Sequence, residues 1–209
     1  MAVKTADSPP RVPPQSKMTF EEFLDWCDED TWAEWVDGDV QMVTPANFQY
    51  QNLVVFLTSL LLFYAQGKKL GLVLNAPFLM RLPSISRGRE PDILFVRQEH
   101  NERFHNTYLD GAADLVVEII SPESIVRDRG DKFVEYEQAG VSEYWMIDPS
   151  RHRAEFFVLD STNVYQNINP DPSGIYRSHV VDGFWLRVDW LWQEPLPMAE
   201  DVLREIREG

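Results

Sequence analysis

The sequence predicts an α/β fold: a central mixed β-sheet flanked by helices, with an N-terminal helix and hairpin. Three observations carry that expectation. "DLVVEII" (Asp114 to Ile120) is a nearly continuous β-branched run of strand length, the pattern of a central strand covered on both faces. "LVVFLTSLLLFY" places Leu53, Phe56, Leu57, Leu60, Leu61 and Tyr64 at helical spacing. Helix-like and strand-like segments also mix along the chain, with no internal repeat and no linker to divide it.

In order along the chain, residues 1–17 are polar and proline-rich and read as a disordered tail, leaving 18–209 as one domain. "TFEE" (Thr19 to Glu22) fits a capping box and starts a helix to about Asp28. Asp37-Gly38 sits between two short alternating runs, the signature of a two-residue hairpin. Asn47 caps the long helix, which ends near Gly67. "LVLNAPFLMRL" and "PDILFVR" read as strands joined by an arginine-bearing loop, and Pro122 stops the central strand. Ser124 caps a helix over roughly 125–138, closed by Ala139-Gly140. "SEYWMID" is the next strand. "AEFFVLD", "NVYQNI" and "GIYRSHVV" form an antiparallel run, and "PMAEDVLREIRE" is a final amphipathic helix.

Composition bounds the function. A chain of 209 residues supports one full core, and 44% hydrophobic with 25% charged residues excludes general disorder. No apolar stretch reaches the roughly 20 residues of a membrane helix, and the N-terminus lacks a signal-peptide core. Cys27 is alone, so no internal disulfide forms; both facts point to a reducing cytoplasm. The four histidines lack zinc-ligand spacing. There is no phosphate-binding loop, dinucleotide glycine pattern or nucleophile elbow. A net charge of −15 argues against a general nucleic-acid binder. The charge is uneven, however: Glu21 to Asp30 holds six acids and no base, whereas Arg81 to Arg89 holds three arginines and no acid.

Two acids stand out. Asp92 opens the apolar run "PDILFV", and Glu118 lies among Val116, Val117, Ile119 and Ile120. An unpaired charge in such a setting is expensive. If the two strands are neighbours, the acids converge at one edge, and their repulsion calls for a cation between them. A hard divalent ion answers that need and reaches for phosphate, and Lys132, one helix later, brings a fixed positive charge to the same place. Plainer readings stand beside this one. Asp92 reads as a turn residue at a strand start, Glu118 as half of a buried ion pair, Lys132 as a surface lysine, and Glu34 as an acid beside a hairpin. Arg87 and Arg89 read as loop solvation.

These residues resemble the bacterial Uma family of proposed restriction endonucleases, within the PD-(D/E)XK nuclease superfamily. The resemblance runs from Thr19 to Arg207 and rests on "AEWVDGDVQMVTP", Pro91-Asp92, "VEIISPES" and "DRGDKFVEYEQAGVSEYWMIDP". It implies a restriction-endonuclease-like core and Mg²⁺- or Mn²⁺-dependent hydrolysis of DNA. Asp92 and Glu118 are then metal-binding acids, with Glu34 completing the site and Ile119 offering its backbone carbonyl. The superfamily lysine, absent at Ile120, matches Lys132, with Asp128 positioning it from one turn earlier. Arg87, Arg89, Arg127 and Arg129 become phosphate contacts. Where family members often carry a histidine at the start of the long helix, this chain has Tyr50, which implies stacking or hydrogen bonding to substrate. Cutting both strands of a duplex suits a homodimer. Three alternatives stay open: a degenerate member that binds a nucleic acid or a protein without cutting, an interaction protein with a structural ion pair, and a two-carboxylate glycosidase.

Overall fold

The computed structural model describes residues 12–14, 16–28, 31–42, 47–121 and 130–208. In chain order the elements are α1 (Phe20–Trp26), β1 (Ala33–Val36), β2 (Asp39–Met42), α2 (Phe48–Lys68), β3 (Gly71–Asn75), β4 (Leu79–Leu82), β5 (Arg87–Arg89), β6 (Ile93–Arg97), β7 (Tyr108–Asp110) and β8 (Leu115–Ile119). There follow α3 (Lys132–Ala139), β9 (Glu143–Asp148), β10 (Arg153–Leu159), β11 (Tyr165–Asn167), β12 (Ile175–Arg177), β13 (Trp185–Arg187) and α4 (Ala199–Glu208).

Local chemistry sets several of these boundaries as the sequence predicts. Thr19 Oγ1 accepts the Glu22 N–H at 3.2 Å while Glu22 accepts the Thr19 N–H at 2.7 Å, a complete capping box. Asp37 and Gly38 both have positive φ, 49° and 91°, which a tight hairpin between β1 and β2 requires. Asn47 Oδ1 accepts the Tyr50 N–H at 2.9 Å and starts α2. Gly140, at φ 86°, closes α3. The expected start of that helix at Ser124 lies outside the described residues.

The strands sort into a six-stranded sheet in the order β11-β10-β9-β8-β6-β3, a five-stranded sheet in the order β2-β1-β5-β4-β7, and the β12-β13 ribbon. β8 lies parallel to β9 and antiparallel to β6, so it is the central strand expected. Two finer expectations change. "LVLNAPFLMRL" is not one strand: β3 and β4 belong to different sheets, and Ala76-Pro77 separates them. The arginine-bearing loop is also partly a strand, because β5 pairs with both β4 and β1.

Three cores follow from this layering. Leu53, Leu57, Leu61 and Tyr64 of α2 meet Ile93, Phe95, Val117 and Trp145 on one face of the six-stranded sheet. The alternate residues Leu94, Val96, Val116 and Tyr144 pack on the other face with Met80, Leu82 and Tyr136. Strand alternation thus buries β6 and β8 on both sides. Phe20 and Phe23 of α1 close the outer side of the five-stranded sheet. There Gly88 lets the strand approach the Phe20 ring, since a Cβ would meet Phe20 at 3.1 Å. α2 runs between the Asn47 cap and the neighbourhood of Gly67, as the sequence predicts. Its 21 residues suffice in length and composition to cross a bilayer, but it packs along the sheet and against α4 as a core helix.

The C-terminal ribbon is tied down by one acid. Glu143, wholly buried at the start of β9, accepts hydrogen bonds from Trp145 Nε1 (2.6 Å), Tyr176 Oη (2.7 Å), Ser178 Oγ (2.9 Å) and the His179 and Val180 N–H groups (2.9 and 2.8 Å). Removing it leaves five donors without this acceptor, those of Trp145, Tyr176 and Val180 in buried positions. Glu143→Ala is therefore expected to lower the unfolding free energy by about 3 kcal/mol or more in urea titration; a loss below about 1 kcal/mol would contradict the anchoring role.

Candidate active site

Asp92 and Glu118 meet at one end of the six-stranded sheet. The β6–β8 register pairs Ile93 with Val117, so the next step along the ladder sets Asp92 beside Glu118. Both oxygens of Asp92 are engaged. Oδ2 accepts the Ile119 N–H at 2.6 Å, and Oδ1 accepts the Tyr50 hydroxyl from the first turn of α2. Glu118, 2% exposed, points to α3, where its Oε1 accepts from Lys132 Nζ at 2.8 Å and from Tyr136 Oη at 2.7 Å.

Lys132 does not stop at Glu118. Its ammonium, also 2% exposed, lies 3.3 Å from Oε1 of Glu34 on β1. Glu34 is 1% exposed; it accepts the Glu90 N–H at 3.2 Å on Oε1 and Arg89 Nη1 at 2.9 Å on Oε2. Arg89 in turn forks onto Glu135 of α3, Nε to Oε2 at 2.7 Å and Nη2 to Oε1 at 2.9 Å. The pleat explains the direction: Gly88 faces α1, so Arg87 and Arg89 face the space between the two sheets where α3 lies.

The structure thus brings Glu34, Glu118 and Lys132 into one buried network and sets Asp92, Ile119 and Tyr50 beside it. Two expectations, both of arginines as phosphate contacts, are corrected. Arg89 is 1% exposed and committed to Glu135 and Glu34, so it orders acids rather than meeting phosphate. Arg87 donates from Nε to Glu135 at 2.6 Å and from Nη1 to Asp37, and is likewise turned inward. Tyr50, expected to stack on or hydrogen-bond substrate, donates its hydroxyl to Asp92. The Ile119 N–H donates to the other oxygen of the same carboxylate. Arg127, Asp128 and Arg129 lie outside the described residues.

Sequence reasoning missed Glu90, Glu135 and Tyr136. Tyr136 and Glu135 follow Lys132 by four and three residues, spacings that put all three on neighbouring helix positions. Glu90 hides beside Pro91-Asp92, where it reads as loop. Burial first, and then the negative charge of Glu34, push the Glu90 carboxyl up to about 7, while Lys132 pulls the other way. Tyr136 is raised well above the usual phenol range by burial and by the Glu118 charge, so it stays a donor to that carboxylate. Burial works against the Arg89 charge, but Glu135 and Glu34 outweigh it and hold the guanidinium above its ordinary pKa.

These geometries have measurable consequences. Lys132→Met leaves Glu118 and Glu34 buried without the ammonium between them, and is expected to cost about 3–5 kcal/mol of stability. Adding Glu118→Gln is expected to recover part of that loss; a double variant less stable by the plain sum would contradict the shared bridge. For Glu90 the sign follows from the direction of its shift. Below about pH 7 the folded chain keeps a proton that an unfolded glutamate, with an ordinary value of 4.5, has released. Stability from this group therefore falls as pH rises from about 4.5 to about 7. Glu90→Gln has no charge to bury, so its Tm relative to the parent is expected to rise between about pH 5 and about pH 8, a difference checked by thermal melts at both.

Residues 20–189 match the family Uma2, described as "Putative restriction endonuclease". Comparison with curated protein sequences gives no match. Among solved structures, the chain is similar to the crystal structure of "a putative nuclease belonging to DUF820" from Anabaena variabilis ATCC 29413, with a TM-score of 0.69. The identity is 16%, over 84% of this chain and 97% of that chain, a likeness of fold; that fold is restriction-endonuclease-like. The family match spans the whole buried network from Glu34 to Tyr136, and the chain belongs to the Uma2 family.

Proposed function

We propose that the chain is a metal-dependent endonuclease that hydrolyses phosphodiester bonds of DNA. The observation that carries this reading is the charge balance between the sheets. Among the described residues, five buried or half-buried carboxylates (Glu34, Glu90, Asp92, Glu118 and Glu135) face three cations (Lys132, Arg87 and Arg89). The donors are hard carboxylate oxygens on neighbouring strands, which suit Mg²⁺ or Mn²⁺. Asp92 and Glu118 would hold the ion, with Glu34 as the further acid beyond Lys132. When bound, such an ion supplies charge to phosphoryl oxygens and acidifies its water.

The chain's own groups have distinct tasks in this reading. The Ile119 N–H and the Tyr50 hydroxyl fix both Asp92 oxygens, which holds that carboxylate to one orientation. Tyr136 does the same for Glu118. Lys132 keeps an ammonium beside Glu118, where it can orient the attacking water or offset the negative charge that grows on the phosphate. Arg89 and Glu135 act through Glu34 and are positioning residues. Arg127 and Arg129 are the remaining candidates for phosphate contacts. Cutting both strands of a duplex would take two such centres, which a two-fold homodimer supplies.

One observation favours a second reading, a nuclease fold that binds without cutting. No three histidine, cysteine or acidic residues already gather as a metal cluster among the described residues, and Lys132 spans two of the acids. One experiment separates the two. Purified chain is incubated at low salt with supercoiled plasmid and with single-stranded DNA, in Mg²⁺, in Mn²⁺ and in chelator. Metal-dependent nicking is expected, with a loss of about a hundredfold or more in both Asp92→Ala and Lys132→Ala. Cutting that both variants retain, or none with either metal while DNA is still bound, would favour the second reading.

A further inference from the structure

A cavity of about 350 Å³ opens between the first turn of α2 and the segment from Leu191 to Leu196. It lies at the same end of the six-stranded sheet as the carboxylates. Phe48, Gln49 and Asn52 line it, and Tyr50, which bonds Asp92, belongs to the same helical turn. His152 lines it from the turn after β9, whose parallel partner β8 carries Glu118.

The lining describes its ligand. The His152 and Trp192 rings stack on each other at 5.3 Å with their planes 12° apart, an aromatic wall of two layered rings. Phe48, 84% exposed, adds an apolar ring to the lining. Gln49, Asn52 and Gln193 bring three carboxamides, each both donor and acceptor. Among the described residues no lysine or arginine lines the cavity, and Glu194 is its one carboxylate, so a phosphate would meet no guanidinium or ammonium there. A planar, uncharged ring with donors and acceptors on its edge meets every one of these groups. The volume is at the small end for ligand pockets and has room for one such ring and its sugar. Arg151, next in the chain to His152, is held by Asp148, Nη1 to Oδ2 at 3.0 Å, with its side chain 58% exposed.

We infer that this cavity seats a single unpaired nucleobase of the strand that the adjacent centre cuts, stacked on the His152–Trp192 wall and read at its edge by the carboxamides. The inference rests on the nuclease reading and specifies its substrate: a nucleotide extruded from the duplex or already single-stranded. Base–aromatic stacking of this kind tolerates every base, because each has a π-face. It also gives an acidic chain a source of affinity that does not depend on phosphate contacts.

The test is proton NMR of the full chain, without divalent cation. The His152 imidazole signals are identified by their absence in His152→Gln. 2′-Deoxyadenosine is expected to shift them and to leave those of His100, His105 and His179 in place. 2-Deoxyribose 5-phosphate is expected to shift none of the four. Trp192→Ala and the surface change Asn52→Leu are each expected to weaken the nucleoside response about tenfold; Asn52→Leu carries the comparison if Trp192→Ala melts early. An equal response to the sugar phosphate, or a nucleoside response that survives the variants, overturns the inference. Plasmid nicking is read separately. Nicking without a nucleoside response at His152 overturns the cavity assignment alone, and a response in a chain that never nicks supports the cavity and overturns the nuclease reading.

Discussion

The ammonium of Lys132 joins the two sheets through a carboxylate of each. It opens α3, bonds Glu118 of the six-stranded sheet at 2.8 Å and lies 3.3 Å from Glu34 of the five-stranded sheet. Three separate layers are thereby referred to a single atom. Taking an ammonium and two carboxylates out of water costs several kcal/mol per ion unless the geometry is good. Here the geometry is completed by Tyr136 on one side and Arg89 on the other. Apolar residues of matching volume in place of all three charges together would often serve the fold as well or better, whereas removing the ammonium alone would not. The retention of charge at this place is what joins the fold to the proposed chemistry.

Much of this was legible because it is local. The capping box at Thr19, the Asp37-Gly38 turn and the Asn47 cap each depend on residues within a few positions of one another. The central strand was legible because burial on both faces leaves almost no polar residue, so Glu118 stood out. Lys132 entered through the need of the two paired acids for a cation and Glu34 through family resemblance, and the structure sets both against Glu118 or its ammonium partner. What was not legible is pairing at a distance. "LVLNAPFLMRL" reads as one strand because its apolar pattern is continuous, yet its halves serve different sheets. Arg87 and Arg89 read as solvated because nothing nearby in sequence announces Glu135, 46 residues beyond Arg89. Glu90 was overlooked because its environment is made by Glu34 and Lys132, neither of which is its neighbour in the chain.

The overall charge of −15 takes on a different meaning once the charges are located. Several acids do not face solvent at all: Glu34, Glu118 and Glu143 are at most 2% exposed, and each is answered by donors. The α2 helix, by contrast, has no acid from Phe48 to Lys68. Its first turn is therefore a region where an anionic strand meets no fixed negative charge from the helix itself, directly beside Asp92 and the cavity.

The buried network also has a kinetic meaning. Its hydrogen bonds join Arg89 to Glu34 across 55 positions and to Glu135 across 46. Contacts of such long loop closure form late, after the local hairpins and helices. Until α3 docks between the sheets, Lys132 and its carboxylates remain hydrated and apart. A chain still emerging from the ribosome, or one trapped with its sheets separated, therefore lacks the assembled centre altogether. Assembly of the network is thereby coupled to the docking of α3 between the sheets.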